Sequence, residues 1–169
     1  MSRPVFAICV GLAAMTTGVF AGQKSTSDIA ASMKSYRSWE KATSGPHIIS
    51  QKAYALCVPA SPPAGPHTSG LIEVRVNPTG YRAFLNSTGS VPVGTIVVKE
   101  KRRSEKDPID LLTVMQKVGE RGSLDDWRFY AFSGDGKKEL ATDAAKCRGC
   151  HKAANADHLF RTYLLRRRG

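Results

Sequence analysis

Only one Cys-x-x-Cys occurs in the 169 residues, and there is no His-x-x-His. That shortage excludes a four-ligand zinc site, which needs a second pair of ligands. No βαβ pattern surrounds the single pair, which removes a thioredoxin-like redox motif. Acidic residues are also scarce: 14 Asp and Glu stand against 25 Lys and Arg, giving a net charge of +11. No basic stop-transfer cluster follows the apolar run near the N-terminus, and Thr16, Thr17 and Gly18 interrupt that run, which argues against a membrane anchor.

What is there at the N-terminus reads as an export signal. Arg3 precedes an apolar stretch from Val5 to Ala21, which closes Val19-Phe20-Ala21 before Gly22-Gln23. The pattern predicts a secretory signal peptide over residues 1–21, cleaved after Ala21. The mature chain, residues 22–169, is then one exported, periplasmic domain, with no stable membrane insertion after cleavage. Cleavage removes Arg3 and leaves the balance strongly basic. Export takes a basic protein away from nucleic acid, so the charge reads as a solvated surface or as a match for anionic partners.

Near the other end stands Cys147-Arg148-Gly149-Cys150-His151. Two thiols three positions apart can add to the two vinyl groups of one porphyrin, and the adjacent imidazole then reaches the iron. The motif predicts a covalently attached haem c, held by Cys147 and Cys150, with His151 as the iron ligand. Cys9 leaves with the signal and Cys57 is left without an intramolecular partner, as a small buried apolar residue or a dimer disulfide.

The intervening chain reads as strands with helices around them. Ser27 and Asp28 can cap a helix running to about Arg37, with Ile29, Met33 and Trp39 near one side. Ala53 to Val58 is fit for a strand, and the proline-rich stretch 59–66 is a loop. Leu71 to Val76 alternates with period two, placing Ile72, Val74 and Val76 on one face. Asn77-Pro78 stops that strand, and residues 80–85 make a short helical turn carrying Tyr81 and Phe84 inward. A second strand runs from Thr95 to Arg103, its Ile96, Val97 and Val98 buried on both faces, with Lys101, Arg102 and Arg103 running out into solvent.

Asp107-Pro108 can start a helix with Leu111, Leu112, Met115 and Val118 on one side. Residues 126–132 form an aromatic strand, Trp127, Phe129 and Ala131 against Arg128, Tyr130 and Phe132, followed by a tight turn at 133–137. A helix from about Asp143 carries the haem motif. Asp157 is expected to cap a last helix, from His158 to Arg167.

Within the second strand Lys99 falls on the same face as Val97. A lysine there either lays its stem on apolar surface with its amine in water, or is desolvated into a nucleophile able to attack the porphyrin. Glu100, on the opposite face, serves structure. A sixth iron ligand would come from His47, His67, His158 or Met115, each of which reads more simply as a surface or core residue.

Taken in order, Tyr36-Arg37-Ser38-Trp39, Val76-Asn77-Pro78, Gly94-Thr95-Ile96-Val97-Val98-Lys99-Glu100, Asp126-Trp127-Arg128-Phe129, Cys147-x-x-Cys150-His151 and Asp157-His158-Leu159-Phe160-Arg161 resemble the cytochrome P-460 family, including the cytochromes c′-beta. The resemblance spans essentially the mature chain. It implies an α+β fold, mainly antiparallel β-sheet with several flanking helices and a C-terminal haem-bearing helical segment, often homodimeric. It implies a five-coordinate haem c with His151 proximal.

In cross-linked members a lysine matching Lys99 bonds to the porphyrin, and these oxidise hydroxylamine and handle nitric oxide. The c′-beta branch lacks the link and binds nitric oxide or carbon monoxide. A plain electron-transfer cytochrome is the third alternative. The resemblance also implies a distal carboxylate shortly before the first haem cysteine. Asp143 is nearest, with Glu139 behind it, and an acid there could accept a proton from the substrate. The partners so implied are a small nitrogenous or diatomic ligand and a redox protein.

Overall fold

The computed structural model describes residues 26–50, 69–86 and 89–161. The expected signal peptide, the strand at 53–58, the proline-rich loop, Cys57, His67 and the end of the expected last helix lie outside them. Among the described residues, no helix is long and apolar enough to cross a membrane.

Seven strands form one antiparallel sheet. They are β1 (Glu40–Lys41), β2 (His47–Ser50), β3 (Ser69–Val76), β4 (Ile96–Arg102), β5 (Leu111–Lys117), β6 (Trp127–Ser133) and β7 (Glu139–Leu140). From β3 to β7 each strand pairs with the next in sequence, while β1 and β2 share the outer edge of β3. The helices are α1 (Thr26–Ser35), α2 (Tyr81–Leu85), α3 (Ala144–His151) and the single turn α4 (Asn155–His158). The fold is therefore α+β, as expected.

Alternation in the strands feeds two cores, one on each face of the sheet. On the first face Ile96, Val98, Leu112, Val114, Tyr130 and Phe132 receive Ile29 and Met33 of α1 with Tyr36 and Trp39. Burying each such side chain contributes roughly 1.5–3 kcal/mol, which holds α1 in place despite its short length. On the second face Val74, Val76, Val97, Met115 and Trp127 pack with Phe84 of α2, Val91 and Leu159.

The turn from β3 into α2 is made by Asn77. Its side-chain amide donates to the Gly94 carbonyl at 2.8 Å, and its carbonyl oxygen accepts from Gly80 N and Ile96 N. The polar groups freed where β3 stops are thus satisfied without water. Gly80 is needed there because a Cβ would lie 2.2 Å from the Thr95 side chain.

Two expectations fail within the sheet. Residues 111–117 are the central strand β5, not a helix: they pair with β4 on one side and β6 on the other. Both faces of β5 are covered, so its apolar residues run together and lose the period-two signal, and Leu111, Leu112 and Met115 then match helical spacing by chance. Lys101 does not run out into solvent either. It lies between Ile72 and Leu111 and is buried, because β4 keeps a neighbour on both sides as far as that residue.

Candidate haem site

The haem motif sits on α3, and local chemistry explains why that segment is helical. Asp143 caps it, its carboxylate oxygen accepting from Ala145 N at 3.1 Å and Lys146 N at 3.3 Å. Arg148 then ties the helix to the sheet, donating to the Leu124 carbonyl at 3.0 Å and to the Asp125 carboxylate at 2.5 Å, just before β6 begins. Spacings of three and four residues bring Cys147, Cys150 and His151 to one side of the helix. All three are half-buried, and neither cysteine is in a disulfide.

His151 is held from three directions. Its ring lies 5.4 Å from Phe129 of β6, tilted, and 5.0 Å from Phe160, edge to face. Nδ1 is 2.7 Å from the carbonyl oxygen of His158. A carbonyl can only accept, so Nδ1 carries the proton and the neutral ring keeps its lone pair on Nε2. Burial lowers the pKa of the ring and the positive charge of Lys99 adds to that, against the opposing hydrogen bond to His158. The imidazole is therefore neutral at pH 7, the form that ligates a metal.

Lys99 lies in the middle of β4, half-buried, between Val74 of β3 and Thr113 of β5. It shares its face with Val97 and Met115, and Phe129 continues the Val97 row across β6. Because Phe129 touches His151, the lysine and the histidine belong to the same side of the sheet. Glu100 faces the other way, bonded to Arg75 at 3.0 Å, the structural role expected of it.

Asp143 is less close to this arrangement. Eight residues separate it from His151, about 12 Å along a helix. It is exposed and ion-paired with Lys146 at 3.4 Å. Glu139 pairs across from Phe132, a residue of the α1 core, so it belongs to the face away from Lys99. Met115 is buried core, and His47 is exposed on β2.

The sequence reading missed the role of Asp157. It caps no helix: it sits inside α4, where Ala156, Asp157 and His158 have φ of 46°, 64° and 59°. Non-glycine residues in that region cost roughly 1–3 kcal/mol each and persist only when their surroundings hold them. Here the Asp157 carboxylate accepts from Lys117 Nζ, from Ser90 Oγ at 2.9 Å and from Val91 N at 2.9 Å. The Lys117 and Asp157 side chains are 1% and 2% exposed. The one signal available was a lysine two positions after Met115, on the same face of a strand, but it is visible only once 111–117 is read as β.

The residues fit a haem. Two thiols a turn apart and a neutral imidazole with Nε2 available provide attachment and an iron ligand, and Phe129 and Phe160 give the imidazole an apolar backing. An antiparallel sheet presenting such a helix defines a β-rich c-type cytochrome. The chain belongs to the family described as Cytochrome P460, whose sequence signature matches residues 33–161. Membership makes it a haem c protein that binds iron through that cofactor. No curated protein matches the chain.

Proposed function

We propose that the protein is an exported, periplasmic cytochrome that oxidises hydroxylamine, with haem c joined to Cys147 and Cys150, His151 on the iron and Lys99 linked to the porphyrin. When bound, the haem would supply a redox-active iron for a small nitrogenous ligand, with a redox partner protein as the electron acceptor. One observation carries the reading: Lys99 is half-buried on the sheet side occupied by His151. A lysine held there by β3 and β5 has its backbone fixed on both sides, so its reach is directed rather than random. Val97 and Met115, on the same face, are apolar and buried. Asp143 is assigned the proton-accepting role. Its carboxyl is held below the usual carboxylate range, chiefly by the Lys146 backbone N–H, so it is ionised at neutral pH but a weak base.

A second reading, a nitric oxide or carbon monoxide binder without the cross-link, is favoured by that same Asp143. Its carboxylate is already occupied by the helix N–H groups and Lys146, which ties down the proton acceptor that the oxidation needs. Mass spectrometry of haem peptides separates the two. A species joining the 147–151 peptide, haem and the Lys99 peptide supports the enzyme. A Lys99 peptide released free of haem supports the gas binder.

A further inference from the structure

We propose that Asp157 is a positioning residue for the axial ligand, setting the electron donation of His151 through the backbone carbonyl of His158. The inference rests on His151 being that ligand. Its basis is a chain of contacts that has no slack. Lys117, at the end of β5, and Ser90 and Val91, in the segment before β4, all donate to one buried carboxylate. That carboxylate belongs to the middle residue of three consecutive left-handed positions. The turn they form aims the His158 carbonyl at His151 Nδ1, 2.7 Å away.

A hydrogen bond at the second nitrogen of a ligating imidazole raises its basicity and so favours the oxidised metal. The length of that bond here is fixed by a backbone conformation that three non-glycine residues would otherwise leave. Loss of the Asp157 anchor lets the turn relax towards ordinary φ values, and the carbonyl moves off Nδ1. The ligand then donates less and the ferrous state gains. A salt bridge on the surface would not do this, because solvent would replace the missing partner. At 2% exposure nothing does.

The test is resonance Raman spectroscopy of the ferrous protein together with a redox titration, on wild type, Asp157→Asn, Ser90→Ala and Met33→Ala. Asp157→Asn should lower the iron–histidine stretching frequency and raise the ferrous-to-ferric ratio at fixed poise about tenfold, equivalent to about 59 mV for one electron. Ser90→Ala removes one donor and keeps the ion pair, so it should shift both in the same direction by less. Met33→Ala weakens the core on the opposite face and should lower thermal stability while leaving the band and the potential unmoved.

A folded Asp157→Asn protein with an unchanged band and potential overturns the inference. Where that variant fails to accumulate, Ser90→Ala decides: a shift supports the inference and no shift overturns it. A five-coordinate, high-spin ferrous wild-type spectrum without any iron–histidine band overturns both this inference and the assignment of His151.

Discussion

Lys99 and Glu100 are neighbours in the chain and lie on opposite faces of the sheet. Glu100 is bonded to Arg75 at 3.0 Å, while Lys99 stands on the His151 side between Val74 and Thr113. Strand geometry alone makes this division, since successive side chains point to opposite faces. A slip of one residue in β4 would exchange the two roles, and the Arg75 to Glu100 pair helps to prevent it.

Lys99→Arg should therefore leave the sheet intact and remove the porphyrin link, because the larger cation keeps the charge and lacks a nucleophilic amine at neutral pH. Haem staining after denaturing electrophoresis should stay positive, while the 147–151 haem peptide loses the Lys99 adduct. On the enzyme reading, hydroxylamine oxidation falls by at least about 100-fold. Retained oxidation with no adduct would show that the link is dispensable.

The resting iron should be five-coordinate. Met115 is committed to the core and His47 is exposed on β2, so neither is poised as a sixth ligand. The protein should give a high-spin spectrum, and its ferrous form should take up carbon monoxide and nitric oxide. A low-spin spectrum indifferent to both gases would point to electron transfer instead.

Acid should weaken the fold through Asp157. Burial alone would raise its pKa, but the Lys117 ammonium, Val91 N–H and Ser90 hydroxyl overcome that and lower it. The folded pKa is then below the unfolded value of ~3.9. The stabilisation is fully present above the unfolded value and is lost as pH falls through the folded one. Urea midpoints of wild type should drop between pH 5 and 3, and Asp157→Asn, less stable throughout, should follow a flatter line over that range.

Gly134→Ala should destabilise by about 3 kcal/mol. A Cβ there would lie 1.6 Å from the Ile109 carbonyl oxygen, and a backbone atom cannot swing aside as a side chain could. The urea midpoint should fall with the slope unchanged. A loss under 1 kcal/mol would mean that the segment before β5 gives way easily.

Much of the fold was legible in residue order, because half-buried elements write their period plainly. Ile72, Val74 and Val76 are on one face as read, and Trp127 and Phe129 lie opposite Tyr130 and Phe132. The helix that carries the haem motif also starts where expected, just after Asp143. What was illegible came from burial on both faces. β5 carries apolar residues to each core, so no alternation survives, and Lys117 within it was hidden too. Asp157 was unreadable for a different reason. Its partners lie 40 and 66 or 67 residues away, whereas an acid before a helix-like stretch looks like a cap from sequence alone. Of the haem site, the motif on α3 was visible as a string, but the tautomer of His151 depends on the backbone of His158, whose unusual φ no residue type announces.

The way α1 is attached has a consequence for the order in which the molecule assembles. From β3 to β7 the sheet is built of neighbouring strands, whose contacts close short loops and form quickly. α1 is the reverse case: it rests on β6 from the far end of the chain, and Arg37, just after it, reaches the Gly134 carbonyl across 97 residues. α1 meets its full docking face, which spans β4, β5 and β6, only when β6 is in place. Ile29→Ala should accordingly speed unfolding while scarcely slowing refolding, since α1 closes after the rate-limiting barrier. An equal slowing of refolding in stopped-flow traces would place α1 in the nucleus instead.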